Sequence, residues 1–74
     1  MVLVTEGCHL CEDACAVVAS VCEQTGQVWA ARDLAGCDEA TQMRWREYVP
    51  VVLIAGEVHD IFRVTPDRLR AALT

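Results

Sequence analysis

Two cysteines three residues apart, Cys8 and Cys11, are the side chains of this 74-residue sequence most suited to chemistry. They lie in the stretch Cys8-His9-Leu10-Cys11, after a short apolar run and before a helical pattern. A Cys-x-x-Cys pair between a strand and a helix favours thiol–disulfide exchange. The attacking species is a thiolate, and the free N–H groups at a helix start stabilise an anion. We therefore expect Cys8 to attack and Cys11 to resolve.

The elements that must hold these thiols follow from the hydrophobic pattern. The β-branched run from Met1 to Val4 predicts a buried strand, and Gly7 allows a sharp turn after it. From Cys8 to about Glu23 the apolar residues recur with the period of an α-helix. The predicted inward stripe is Leu10, Ala14, Val17, Val18 and Val21.

The helical wheel gives the two thiols different surroundings. Cys8, Cys11, Cys15 and Cys22 border the apolar stripe, and Cys11 is nearest its centre, so we expect Cys11 to be more buried than Cys8. His9 points to the polar side. If protonated, it would stabilise a Cys8 thiolate, which makes it a candidate for tuning the pair.

The remaining chain supplies three more strands and two more helices. The continuous apolar run after Pro50 predicts a strand buried on both faces, and Gly56-Glu57 predicts a hairpin turn to the next strand. Thr65-Pro66 predicts the cap and first turn of a last helix. The predicted elements are strand 27–32, helix 38–47 with Ala40, Met43 and Tyr48 facing inward, strands 51–55 and 58–64, and a last helix with Leu69, Ala72 and Leu73 on its apolar side. The predicted fold is α/β, β-α-β-α-β-β-α, with a four-stranded mixed sheet and helices on both faces.

This order resembles the thioredoxin fold in its shortest, glutaredoxin-like form, as found in small glutaredoxin-like proteins of bacteria. The resemblance covers nearly the whole chain, so residues 1–74 are expected to form a single domain. It implies that Pro50 lies against the cysteine pair after a cis peptide bond. The segments that carry it are 8–12 (Cys-His-Leu-Cys-Glu), 48–51 (Tyr-Val-Pro-Val) and 54–56 (Ile-Ala-Gly).

The same resemblance implies an activity and a second group of site residues. It implies a thiol–disulfide oxidoreductase whose redox centre is the Cys8–Cys11 disulfide and which needs no other cofactor. If Pro50 lies beside the cysteines, Tyr48 would flank the substrate groove and the backbone of Val49 would pair with an extended substrate. We therefore expect Tyr48, Val49 and Pro50 to bind substrate.

The chain departs from the glutaredoxin pattern where glutathione would bind. His9-Leu10 replaces the usual Pro-Tyr, Tyr48 replaces Thr, and residues 63–67 lack the Gly-Gly pair that precedes the last helix. Glu6 stands where a basic residue is common, although glutathione is anionic. These departures argue against glutathione binding but do not touch the disulfide chemistry. The expected substrates are protein disulfides or low-molecular-weight mixed disulfides, and a separate reducing partner, either glutathione or another small thiol or a reductase, restores the pair.

Composition and charge exclude several classes. A net charge of −5 disfavours nucleic-acid binding, which needs a positive surface. No signal peptide or membrane-spanning stretch is visible, so we expect a cytoplasmic monomer that binds no membrane. Reduced cysteine pairs in the cytosol are more often catalytic or metal-binding than structural.

Two alternatives remain open at this point. Cys8, His9, Cys11 and Cys15 are soft ligands for zinc or an iron–sulfur cluster, although His9 points away from the cysteines and no second motif completes four ligands. Alternatively, the chain is a non-catalytic domain of the same fold with small buried cysteines. That second interpretation is preferred for Cys15 and Cys22, although Cys15 could also act as a third redox thiol.

Overall fold

The computed structural model describes residues 1–73; Thr74, the last residue of the expected domain, lies outside the described residues. Its element order is β-α-β-α-β-β-α, as the sequence predicts. A short 3₁₀ turn at Leu34–Gly36 follows the second strand. The elements are β1 Val2–Val4, α1 His9–Thr25, β2 Ala31–Asp33, α2 Glu39–Trp45, β3 Val51–Ile54, β4 Glu57–Ile61 and α3 Pro66–Leu73.

The four strands form one mixed sheet in the order β2-β1-β3-β4. β1 and β2 are parallel, as expected for strands joined by a helix, while β1 pairs with β3 and β3 with β4 in antiparallel fashion. The result is a thioredoxin-like fold, and the predicted fold class is confirmed.

Both faces of the sheet are covered, because the apolar side chains of its central strands point alternately to one face and to the other. Val2 and Val52 point to one face, where they pack with the inward side of α1 and with Leu69 of α3. Leu3 and Val51 point to the other face, where Leu34 covers them and Trp45 packs alongside. The buried residues thus form two core clusters, a larger one on the face of Val2 and Val52 and a smaller one on the face of Leu3 and Val51.

Backbone turns set both ends of α1. Gly7 has a φ of 73°, which a residue with a Cβ rarely adopts, and Cys8 is the N-cap. At the far end Gly26 is left-handed and its N–H bonds back to the Cys22 carbonyl. Of the predicted stripe, Ala14, Val18 and Val21 are buried, Val17 is half-buried, and Leu10 is exposed instead.

The second strand is shorter and later than predicted. The predicted strand 27–32 becomes Ala31–Asp33, because the three residues of β1 offer a parallel partner only to residues 31–33. Residues 27–30 instead cross from α1 to the sheet, with Val28 fully in solvent and Trp29 packed against the larger core cluster.

The inward face predicted for α2 is wrong. Ala40, Met43 and Tyr48 are all exposed, and α2 buries no residue completely. Trp45 turns towards the sheet in their place. With only seven residues, α2 makes about two turns, too short for the pattern to define a face. In α3, Leu69 is buried and Leu73 half-buried as predicted, but Ala72 is exposed.

The last strand ends earlier than residue 64. β4 stops at Ile61, because Phe62 takes a positive φ of 64° and turns the chain out of the sheet. Val64 then returns to the core. Within residues 1–73, no helix is long and apolar enough to cross a bilayer.

Candidate functional site

The Cys8 sulfur is held at the start of α1 by the helix backbone. Cys8 has extended φ and ψ angles of −100° and 108° and serves as the N-cap. The backbone N–H of Cys11 donates a 3.2 Å hydrogen bond to the Cys8 Sγ. A thiol sulfur thus occupies the place that a Ser, Thr or Asp oxygen usually takes. The donor and the helix dipole both favour negative charge on this sulfur.

Cys11 lies one turn further along and is only 3% exposed. The pKa of its thiol is raised to about 11, first by burial and then by a hydrogen bond with the Cys8 side chain. The backbone of Thr5 opposes this rise, while the charges of Cys8 and Cys15 add to it. Cys11 is therefore held as a protonated thiol that donates towards the Cys8 sulfur. The predicted difference in exposure is confirmed, since Cys8 is half-buried.

A third thiol shares this site. Cys8, Cys11 and Cys15 line one open groove of about 300 Å³ between the β1–α1 turn and the first turns of α1. Burial raises the pKa of Cys15, and the charge of Cys8 raises it further. Glu6 and Glu12 lie on the rim of the same groove, so an anionic substrate meets like charge there.

Pro50 lies at the same edge of the sheet as the thiols. In the antiparallel pairing of β1 with β3, Val2 lies opposite Val52 and Leu3 lies opposite Val51. The next position in this register places Pro50 opposite the end of β1, where the turn to Cys8 begins. Pro50 is fully buried and follows a cis peptide bond, as the resemblance implies. It does not itself line the groove that holds the three sulfurs.

Tyr48 is exposed and belongs to an aromatic surface. It is 43% exposed, and its ring lies 6.3 Å from that of Trp45, edge-on, and 6.1 Å from that of Phe62. Phe62 lines a groove with Leu10, the residue just before Cys11. We call Leu10, Tyr48 and Phe62 the apolar rim; each is more than a third exposed.

Phe62 is a candidate contact residue, beside Tyr48 and Leu10, that the sequence pattern did not indicate. It has a left-handed φ of 64°, and the N–H of Arg63 bonds to the Ile61 carbonyl across it at 2.7 Å. A side chain held in such a turn costs about 1–3 kcal/mol, and such strain clusters at functional sites. The Phe62 N–H donates a 3.0 Å bond to the Pro50 carbonyl, which ties the turn to the start of β3.

The other predicted site residues have plainer surroundings. The side chain of His9 is 97% exposed, and its Nδ1 lies 3.8 Å from the Glu12 carboxylate, so its nearest charged partner is an acid. Val49 is half-buried and packs against the smaller core cluster. Among residues 1–73, no three His, Cys, Asp or Glu side chains are grouped so that they could hold a metal ion.

Comparison with known proteins gives one family. Residues 1–74 match the family model described as glutaredoxin-like domain (DUF836). Neither the curated proteins nor the solved structures include a significant match to this sequence.

Proposed function

Because the chain belongs to the glutaredoxin-like domain family over its whole length, we propose that it is a thiol–disulfide oxidoreductase. The observation that carries the proposal is the N-cap sulfur of Cys8, which accepts the Cys11 N–H while the Cys11 thiol stays protonated beside it. The Cys8 sulfur accepts a backbone hydrogen bond at the helix start, while the neighbouring Cys11 thiol keeps its proton. A nucleophile with its resolving partner needs that difference.

In the first step the Cys8 thiolate attacks one sulfur of a substrate disulfide. A mixed disulfide forms between Cys8 and one half of the substrate, and the other half leaves as a thiolate that takes up a proton. In the second step the Cys11 sulfur attacks Cys8, gives up its proton to the departing thiolate, and releases the second half. The Cys8–Cys11 disulfide is then reduced by an external thiol or a reductase.

The surroundings of Cys11 order these two steps. Its hydrogen bond to Cys8 and the Cys8 charge both raise its pKa. Both causes are lost when Cys8 enters a mixed disulfide, because that sulfur no longer carries charge. Cys11 therefore loses its proton more easily after substrate has bound. Three-residue spacing on a helix places the two sulfurs as neighbours, so resolution is intramolecular.

Acidic residues at the thiol groove, together with the apolar rim that begins at Leu10, favour a protein disulfide over glutathione. Glu6 and Glu12 on the groove rim repel an anionic tripeptide, whereas the apolar rim suits a peptide segment with apolar side chains. An extended segment beside Val49 and Pro50 would pair with the backbone there. The pair would be regenerated in a reducing compartment such as the cytosol.

A Cys11→Ser variant tests this proposal by stopping the reaction halfway. The variant retains Cys8 but has no resolving thiol, so we expect it to accumulate a mixed disulfide on Cys8 in cells. Mass spectrometry of protein purified after acid quenching would identify the attached molecule as a protein or a small thiol.

The control for this trap is Cys37→Ser, which alters a half-buried thiol outside the groove and should give no trapped partner. A Cys8→Ser, Cys11→Ser double variant should also trap nothing. An adduct that is attached to Cys22 or Cys37, with Cys8 unmodified, would contradict the proposal.

Phe62→Ala tests the apolar rim as the peptide-binding surface. We expect the KM for a peptide disulfide to rise about two- to tenfold, since an aromatic contact is worth roughly 0.5–1.5 kcal/mol. The kcat/KM for a small uncharged disulfide should not change. Val58→Ala removes a similarly exposed apolar side chain of β4 and serves as the matched control. An equal effect of Phe62→Ala on both substrates, or none on either, would argue against this surface.

A further inference from the structure

Two grooves run along opposite flanks of α1, on either side of its buried face. The thiol groove, which holds the three sulfurs, takes from α1 and its N-cap Cys8, Cys11, Glu12 and Cys15. A second groove, which we call the Phe62 groove, lies between α1 and residues 62–65 and takes from α1 Leu10, Asp13, Ala14 and Val17. Each set recurs at i, i+3, i+4 and i+7, and the two sets are centred about 160° apart on a helical wheel. The start of α1, with the Cys8 sulfur, therefore separates the two grooves.

The Phe62 groove has an apolar interior. Of the residues that line it, Ala14 and Val64 are buried and Val17 is half-buried, whereas Leu10 and Phe62 are exposed at its edges. Its volume of about 160 Å³ is close to the roughly 150 Å³ of an apolar cavity that holds one benzene molecule. The groove therefore suits one side chain of the size of leucine, methionine or phenylalanine.

The two grooves differ in charge. Asp13 and Arg63, both exposed, give the Phe62 groove one acid and one base. The thiol groove has two exposed acids, Glu6 and Glu12, and none of the described residues that line it is basic. A cation is therefore attracted to the thiol groove, while the Phe62 groove gains most from burying an apolar group.

We propose that the partner of Cys8 is an extended protein segment whose reactive cysteine has an apolar side chain two residues to one side and a lysine or arginine two residues to the other. The apolar side chain enters the Phe62 groove, and the basic one lies over Glu6 and Glu12. The inference rests on the proposed function, because the disulfide to Cys8 holds the centre of the segment.

The spacing follows from the dimensions of a strand and a helix. In an extended segment, alternate side chains point to the same face. Each residue advances about 3.3 Å, so the residues two before and two after the cysteine are about 13 Å apart. An α-helix with its side chains is about 10–12 Å across. These two side chains therefore reach both flanks of α1 while the cysteine between them meets the Cys8 sulfur.

A set of short peptides tests this motif. Each peptide has one cysteine, joined by a disulfide to 2-mercaptoethanol, with leucine two residues to one side and arginine two residues to the other, and both sequence orders are made. In companion peptides serine replaces the leucine or glutamate replaces the arginine. The measured quantity is the second-order rate constant with which the reduced protein releases the peptide thiol, followed by mass spectrometry.

In one of the two orders, we expect both replacements to slow the reaction. Serine in place of leucine should lower the rate constant about tenfold, because an apolar side chain is no longer buried. Glutamate in place of arginine should lower it about fivefold, because the charges are exposed. This second effect should shrink in about 0.5 M salt, which screens exposed charges.

Protein variants assign the two preferences to the two grooves. A Glu6→Gln, Glu12→Gln protein should lose the preference for arginine and keep that for leucine, whereas a Leu10→Gln, Phe62→Ala protein should do the reverse. Each preference is a ratio between two peptides, so a general change in thiol reactivity cancels. Glu23→Gln, which changes an exposed acid near the other end of α1, is the matched control and should keep both preferences.

Two kinds of result would overturn the inference and can be told apart. If all peptides of both orders react equally fast, at a rate that Cys8→Ser abolishes, the motif is wrong but the proposed function stands. The same holds if both preferences survive in the groove variants. If no peptide is reduced faster by this protein than by its Cys8→Ser variant, the proposed function fails and the motif fails with it.

Discussion

A Cys8→Ser variant should lose all catalysed disulfide exchange, leaving only the uncatalysed background rate. The serine can still cap α1, because its hydroxyl oxygen can accept the hydrogen bond that the Cys11 N–H donates to the Cys8 sulfur in the unsubstituted protein. The fold should therefore survive while the nucleophile is lost, since a serine hydroxyl at this position does not ionise near neutral pH. The assay is turnover of a peptide disulfide in the presence of excess reducing thiol.

The control for this result is Cys37→Ser, the same chemical change at a half-buried cysteine outside the groove, which should keep normal turnover. Far-ultraviolet circular dichroism would show that both variants retain helix and sheet. Substantial turnover by a folded Cys8→Ser protein would mean that another thiol starts the reaction, and the mechanism above would be wrong.

Alkylation of Cys11 should be about 100-fold slower at neutral pH than that of an ordinary thiol, before any steric protection is counted. The pKa of Cys11 is about 11 against an ordinary 9.0, and each pKa unit lowers the thiolate fraction tenfold below the midpoint. Only the thiolate reacts. The rate should therefore keep rising with pH towards a midpoint near 11, measured by iodoacetamide labelling and peptide mass spectrometry.

The sign of this pKa shift also has a consequence for stability. An unfolded chain releases the Cys11 proton near pH 9, while the folded chain holds it until about pH 11. The contribution of this group to stability is thus complete below pH 9 and is lost as the pH rises through about 11. This interval lies above the physiological range.

A Cys8→Ala variant separates the causes of the shift. It removes the hydrogen-bond acceptor and the charge at position 8 but leaves Cys11 buried, and burial is the largest cause. The labelling midpoint of Cys11 should therefore move down yet remain above that of a free thiol. No movement at all would show that Cys8 does not influence Cys11, which would remove the basis for ordered steps.

The parts of this molecule that sequence could predict are those set by local rules. Helical spacing placed Cys11 inside and Cys8 at the border, because α1 is long enough for the pattern to define a stripe. Gly7 marked the turn, and the run after Pro50 marked a strand buried on both sides. Each of these depends on backbone sterics or on periodicity over many residues.

Other features depend on contacts that the sequence does not reveal. The run from Val58 to Val64 continues a strand pattern through Phe62, and nothing local shows that Phe62 takes a left-handed φ. Which face of α2 turns towards the sheet depends on which of its side chains fills the gap beside Leu3 and Val51. Trp45 fills it, and so Tyr48 is left outside to join Phe62.

The way in which the Cys8 sulfur is positioned has an evolutionary consequence. Its location depends on backbone features, namely the left-handed turn at Gly7 and a hydrogen bond from a main-chain N–H. The neighbouring side chains at Glu6, His9 and Leu10 are exposed and do not hold it in place. Substitutions that accumulate at these positions can therefore change the charge and shape of the surface beside the Cys8 sulfur, while the sulfur itself stays where it is.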